Sequence, residues 1–187
     1  MFFLRNEKII HSYKNLCYYS NQKKMNKLIL IRGNSGSGKT SLAKELQQRF
    51  GTVALLISQD LVRRQMLNVR DGENCPAIPL LKNLVKYGHD NYEITILEGI
   101  LYTGFYKPLF EEFSRLFGDN IFAYYYDIPF EETLKRHQTR SNKDDFGEAE
   151  MRDWWIEKDY IGFIAEKPIY ENESLEAVAE KIYSKVI

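Results

Sequence analysis

Cysteine is almost absent. Cys17 and Cys75 are the only two in 187 residues. They stand too far apart to form the paired-ligand spacing of a structural zinc site, and they imply no disulfide framework. Net charge is missing as well. The 26 basic residues balance 26 acidic ones, so no overall field draws the chain toward nucleic acid, although a local basic groove stays compatible with that balance. No apolar run is long enough to cross a bilayer. The start, Met1-Phe2-Phe3-Leu4 followed by Arg5, is too short an apolar region for a signal peptide. What is present is ordinary for a globular domain: a hydrophobic fraction of 44% and enough length for a single sizeable core. The expectation is a cytoplasmic enzyme with no membrane partner. His11 to Lys24 is rich in Tyr, Asn and Lys and shows no clean period, and Met25 reads as a natural start. The first 26 residues are therefore set apart as an extension, with one domain over 27–187.

The strongest signal is Gly33-Asn34-Ser35-Gly36-Ser37-Gly38-Lys39-Thr40, a glycine, four residues, Gly-Lys and a hydroxyl residue. An apolar run, Leu28 to Ile31, precedes it, and Ser41 to Phe50 follows with apolar residues at helical spacing. Strand, glycine loop and helix form the context this phosphate-binding motif needs. Glycines let successive N–H groups turn toward phosphate oxygens, and the helix adds its own free N–H groups and dipole. Lys39 reaches the terminal phosphates as a point charge, and the Thr40 hydroxyl is a ligand for magnesium. Gly33 through Thr40, with Ser41 opening the helix, are the candidate nucleotide-binding positions. The implied cofactors are ATP and Mg2+.

Further apolar runs follow: Val53–Ile57, Ile94–Leu97, Ile121–Tyr126 and a short Ile169-Tyr170. Helical patterns lie between them, over 61–67, 79–89, 105–117, 129–139 and 148–160, with a last helix after Ser174. Strands alternating with helices predict an α/β fold, a parallel sheet covered on both faces. Ligands of such sheets sit at the carboxyl ends of the strands. The loop 33–40, Asp60, Glu98 and the segment after Asp127 all fall on that edge.

Those positions supply the chemistry. Asp60, after the second strand, suits a base that orients an acceptor hydroxyl and takes its proton; helix N-capping is the plainer role for an aspartate there. Arg63, one helical turn on, suits the substrate side. Glu98 ends an apolar strand and suits magnesium, shared with Thr40. Arg136 and Arg140, four apart before the polar stretch 140–148, suit a clamp on the transferring phosphoryl group, carried by a small lid. Lys39, Asp60, Arg136 and Arg140 are thus the candidate catalytic residues, and Asp60, Arg63 and Glu98 the candidate substrate contacts.

With these residues the chain resembles the small P-loop kinases, over residues 27 to 186. The branch it is similar to includes polynucleotide 5′-hydroxyl kinases, chloramphenicol phosphotransferases and zeta-toxin-like kinases, with a loose likeness to uridine-kinase-like proteins. Asp60-Leu61-Val62-Arg63 resembles the Asp-x-x-Arg of the polynucleotide kinases, and Asp127 to Arg136 resembles the approach to their lid. The resemblance implies a P-loop NTPase three-layer α/β/α sandwich whose five-stranded sheet runs in the order 2-3-1-4-5. It also implies transfer of the γ-phosphate of ATP to a hydroxyl. The neutral charge balance disfavours a polynucleotide acceptor. The expected acceptor is a small hydroxyl-bearing molecule: a nucleoside, a sugar-like metabolite or an antibiotic. A polynucleotide or toxin-type nucleotide-sugar kinase is the rival within the class, and a slowly hydrolysing nucleotide switch the rival outside it.

Overall fold

A computed structural model describes residues 26–139 and 146–187. The expected extension, apart from Asn26, and Arg140 with most of the expected lid lie outside the described residues.

Five strands carry the fold: β1 (Lys27–Gly33), β2 (Ala54–Ser58), β3 (Ile94–Gly99), β4 (Ile121–Tyr126) and β5 (Glu166–Ile169). They form one sheet in the order β2-β3-β1-β4-β5, and every pairing is parallel. This is the expected order. The reason lies in β1, the central strand, where Leu28, Ile29, Leu30 and Ile31 are all fully buried. Because side chains alternate across a strand, Leu28 and Leu30 join one core and Ile29 and Ile31 the other. A strand apolar on both faces requires cover on both.

Helices α1 (Lys39–Phe50) and α2 (Ala77–Asn91) follow β1 and β2, and α3 (Thr103–Phe117) follows β3. Helices α4 (Phe130–Gln138) and α5 (Glu148–Asp153) flank the lid region, and α6 (Leu175–Val186) closes the chain. Leu42, Ala43 and Leu46 of α1 meet Val178, Ala179 and Ile182 of α6 on one face. Leu81 and Val85 of α2 meet Phe110 and Phe113 of α3 on the other. Ser174 caps α6 by accepting the Ala177 N–H, as expected. Among the described residues no helix is long and apolar enough to cross a membrane.

Two expectations are corrected. The helix expected over 148–160 stops at Asp153. Beyond it the backbone of Ile156 is taken by the Asn34 side chain, which donates to its carbonyl at 2.8 Å and accepts its N–H at 3.2 Å. Lys158 adopts a left-handed conformation, which ends any helix. The last strand begins at Glu166, three residues before the expected Ile169.

Glu166 and Asp159 explain why this segment leaves the helix. Both neutralise Arg32, a fully buried arginine of β1. Its guanidinium donates to the Glu166 carboxylate at 2.9 and 3.1 Å, to Asp159 Oδ2 at 2.7 Å and to the Asp159 carbonyl at 2.9 Å. It also donates twice to the Leu101 carbonyl, at 2.8 and 3.2 Å, and lies 5.0 Å from the Phe110 ring centre. Burial pushes the Glu166 carboxyl up, while Arg32 and the Ile161 N–H draw it down. Removing one partner of such a cluster strands the others away from water. Replacing Arg32 by Met should therefore lower the unfolding free energy by about 3–5 kcal/mol, read from equilibrium urea denaturation. A loss below about 1 kcal/mol, the level of an exposed pair, would contradict this account of the cluster.

Candidate active site

Gly33 ends β1 and Lys39 begins α1, so the loop between them turns over the carboxyl edge of the central strand. Two close approaches shape it. A Cβ at Gly33 would stand 2.8 Å from Tyr126 Cβ, and one at Gly36 would stand 2.5 Å from the Thr133 carbonyl oxygen. Both glycines also have positive φ, 141° and 82°. No other residue fits there without moving the neighbouring backbone.

Lys39 is buried, and its Nζ donates to the Asn34 carbonyl at 2.7 Å and to Ser37 Oγ at 3.2 Å. The lysine thus lies along its own loop. Ser37 is fully buried, whereas Thr40 and Ser41 are exposed at the start of α1. The Thr40 hydroxyl donates to Glu98 Oε2 at 3.2 Å. Glu98, at the end of β3, is buried, and its Oε1 has no hydrogen-bond partner. A hydroxyl and a carboxylate with an uncommitted buried oxygen are a hard-donor pair, which fits magnesium. Among the described residues there is no group of three or more His, Cys, Asp or Glu able to hold a metal alone. A cation here would complete its shell with other oxygens, such as those of water and phosphate.

Arg136 is brought to the same place. It donates to the Ser37 carbonyl at 2.9 Å, to Glu132 Oε1 at 2.8 Å and to the Glu171 carbonyl at 3.2 Å. The hydrogen bond from Arg136 is the main reason the Glu132 carboxyl sits below its usual range. Tyr126 lies beside Gly38; burial pushes its phenol up to about 12, against the pull of Arg136. Beside Asn34 a cleft of about 430 Å³ opens between the end of β4, Phe130 and Trp155, a volume typical of ligand clefts.

On the β2 side, Asp60 makes no capping bond to the helix it precedes, so the capping role is not used. Its carboxylate, 55% exposed, accepts from Arg63 Nη2 at 3.0 Å. Arg63 also donates to the Val69 carbonyl at 3.1 Å. The segment that carries Arg63, Leu61–Met66, is wound wider than an α-helix, a feature common near functional sites.

Three features escaped the sequence reading. Arg32 was hidden as one charge in an apolar strand; its signal was that very position. The Asn34 side chain ties the loop to Ile156, a partner 122 residues away that no local pattern announces. Asp71, in a Gly- and Asn-containing stretch, is bound by Tyr106 and Gln59. Tyr106 is fully buried and serves this network.

Strand order, glycine loop and edge residues define a P-loop fold of the small-kinase type. Residues 28–155 match the AAA domain family, and the chain belongs to that family. A UPF0200 protein of Saccharolobus islandicus is 27% identical over 135 residues, spanning 64% of this chain and 67% of that protein. A gluconokinase from Sinorhizobium meliloti has the same fold, with a TM-score of 0.64 at 10% identity over 88% of this chain and 93% of that one. The APS kinase CysC of Mycobacterium tuberculosis, solved with AMPPNP and APS, gives 0.61 at 16% identity over 85% and 96%.

Gly36→Ala tests the loop geometry. The strain of φ 82° and the clash with Thr133 should weaken binding of a fluorescent ATP analogue by about tenfold or more, roughly 1.4 kcal/mol. Unchanged affinity would show that the close approach does not shape the binding loop.

Proposed function

We propose that the protein is an ATP- and magnesium-dependent phosphotransferase that acts on the hydroxyl of a small molecule. The observation that carries this reading is the Thr40–Glu98 pair, with a buried carboxylate oxygen uncommitted, beside a loop that closes on backbone. Exposed Asp60 follows the neighbouring strand. A loop for polyphosphate, a hard-donor pair and an exposed carboxylate are what transfer from ATP to an alcohol requires.

Gly33 to Ser41 supply N–H donors to the β- and γ-phosphates, and Lys39 leaves its resting partners to meet the γ-oxygens. Thr40 and Glu98 hold magnesium, which when bound neutralises charge developing on the phosphates. Asp60 orients the acceptor hydroxyl and receives its proton. The acceptor oxygen bonds to the γ-phosphorus as the bond to the β–γ bridging oxygen breaks, and ADP leaves with that oxygen. Arg136, already held against the loop at Ser37, stabilises the transferring group; Arg140 is proposed as its companion from sequence alone. Arg63 holds Asp60 and faces the acceptor side.

A small acceptor accords with the fold's neighbours, named a gluconokinase and an APS kinase. It also accords with the balance of 26 basic and 26 acidic residues, which gives a polynucleotide no field to follow. Cytoplasmic action on such a metabolite or antibiotic completes the proposal.

ADP release from ATP and Mg2+ tests it across nucleosides, sugars, aminoglycosides, chloramphenicol and 5′-hydroxyl oligonucleotides. One class should stimulate turnover. Lys39→Ala should then lower kcat by about 10²–10³, and Asp60→Asn should abolish stimulation. Basal hydrolysis that no acceptor stimulates and that Asp60→Asn leaves intact would favour a nucleotide switch instead. Stimulation by oligonucleotides alone, falling steeply with salt, would favour the polynucleotide kinase.

A further inference from the structure

Asp71 is exposed, yet two buried side chains are committed to holding it. Tyr106, fully buried, donates its hydroxyl proton to Asp71 Oδ1 at 2.7 Å. Gln59, 1% exposed, donates through Nε2 to Asp71 Oδ2 at 3.1 Å and to the Tyr106 hydroxyl oxygen at 3.0 Å. The Gly72 N–H adds a third donor to the carboxylate at 3.1 Å. Burial first, and then Asp71, push the Tyr106 phenol above its usual range, so it remains a donor.

The network also fixes the Gln59 amide. Asp71 only accepts, and the Tyr106 proton is already used, so both must face the amide nitrogen; the flipped amide would set oxygen against oxygen. Gln59 Oε1 therefore turns away from Asp71. It lies beside Gly99, buried and without a hydrogen-bond partner. Glu98 Oε1, on the adjoining strand end, is likewise buried and unpartnered.

Asp71 is tied to the same strand end as Asp60. Gln59 directly precedes Asp60, and Arg63 bridges Asp60 to the Val69 carbonyl, two residues before Asp71. The cations in this stretch are Arg63, shared between those two partners, and the exposed Arg64 and Arg70. The ends of β2 and β3 thus gather oxygen acceptors, of which Gln59 Oε1 is buried without a partner and the carboxylates of Asp60 and Asp71 are exposed. A ligand that satisfies them must bring donors of its own.

We propose that Asp71 is a second acceptor-binding carboxylate and that Gln59 and Tyr106 are its positioning residues. The acceptor is a polyhydroxylated molecule that presents one hydroxyl to Asp60 and a second to Asp71. This rests on the phosphotransferase reading above and narrows its substrate class. Asp71 accepts a hydrogen bond and takes part in no bond change.

The test uses the full chain with ATP and Mg2+. ADP release is measured with D-glucose and adenosine, and with their 2- and 3-deoxy (2′- and 3′-deoxy) analogues. Wild type, Asp71→Asn, Tyr106→Phe and Lys39→Ala are compared. The expected result is stimulation by a hydroxylated probe, lost in Lys39→Ala, with kcat/KM about tenfold or more lower for at least one deoxy analogue. Asp71→Asn and Tyr106→Phe should raise the KM for that probe about tenfold, with the KM for ATP moving less than about twofold. If Asp71→Asn folds poorly, Tyr106→Phe, which deletes one oxygen, carries the comparison. Stimulation with an unchanged acceptor KM in both variants overturns the inference and leaves the phosphotransferase reading standing. Lys39-dependent ATP binding with no stimulation by either probe overturns the polyhydroxyl assignment. ADP release indifferent to Lys39→Ala overturns both readings.

Discussion

A guanidinium with no access to water must find every hydrogen bond inside the protein, and Arg32 meets that demand by gathering distant parts of the chain. It stands one residue before the glycine loop. Its partners are the Leu101 carbonyl after β3, Asp159 in the segment after α5, and Glu166 at the start of β5. Asp159 in turn accepts the Thr103 N–H at 3.0 Å, at the start of α3. One charge cluster therefore joins β1, the residues after β3, the start of α3 and the start of β5. Buried ion pairs add little net stability over apolar packing, but they tolerate few alternative arrangements. Here the arrangement sets where the phosphate loop leaves the sheet. Asn34, the second residue of the loop, adds a tie to Ile156.

From that fixed edge the site divides into two halves. On the β4 side, Arg136 reaches back to the Ser37 carbonyl and is itself held by Glu132 and Glu171. On the β2 and β3 side, the groups are acceptors: Glu98 behind Thr40, Asp60 paired with Arg63, and Asp71 pinned by Tyr106 and Gln59. The first half suits an anionic nucleotide. To the second the proposed function assigns the magnesium ion and the hydroxyl-bearing acceptor.

Much of this was legible in the chain. β1 to β4 are apolar runs bounded by turn residues, and the loop motif carries its own context, so sheet, topology class and phosphate site could be read directly. The places of Asp60 and Glu98 were legible from the apolar runs before them, and those of Lys39 and Thr40 from the loop motif. The failures share a cause. The stretch 154–160 has helix-compatible residues, but its backbone and side chains are claimed by Asn34, Arg32 and Thr103, partners far away in sequence. β5 is only four residues long and includes Pro168, too little for a period to show. Asp71 lies in a Gly- and Asn-containing stretch whose composition signals a turn, and only the fold brings it to Tyr106.

The most direct test of the central claim is where the γ-phosphoryl group of ATP goes. Phosphorus NMR of the full chain with ATP, Mg2+ and a polyhydroxylated acceptor would follow it. The account predicts a phosphate monoester resonance that grows in step with ADP and is absent without acceptor. Inorganic phosphate as the sole new product, with or without acceptor, would contradict it and identify the site as a hydrolysing one.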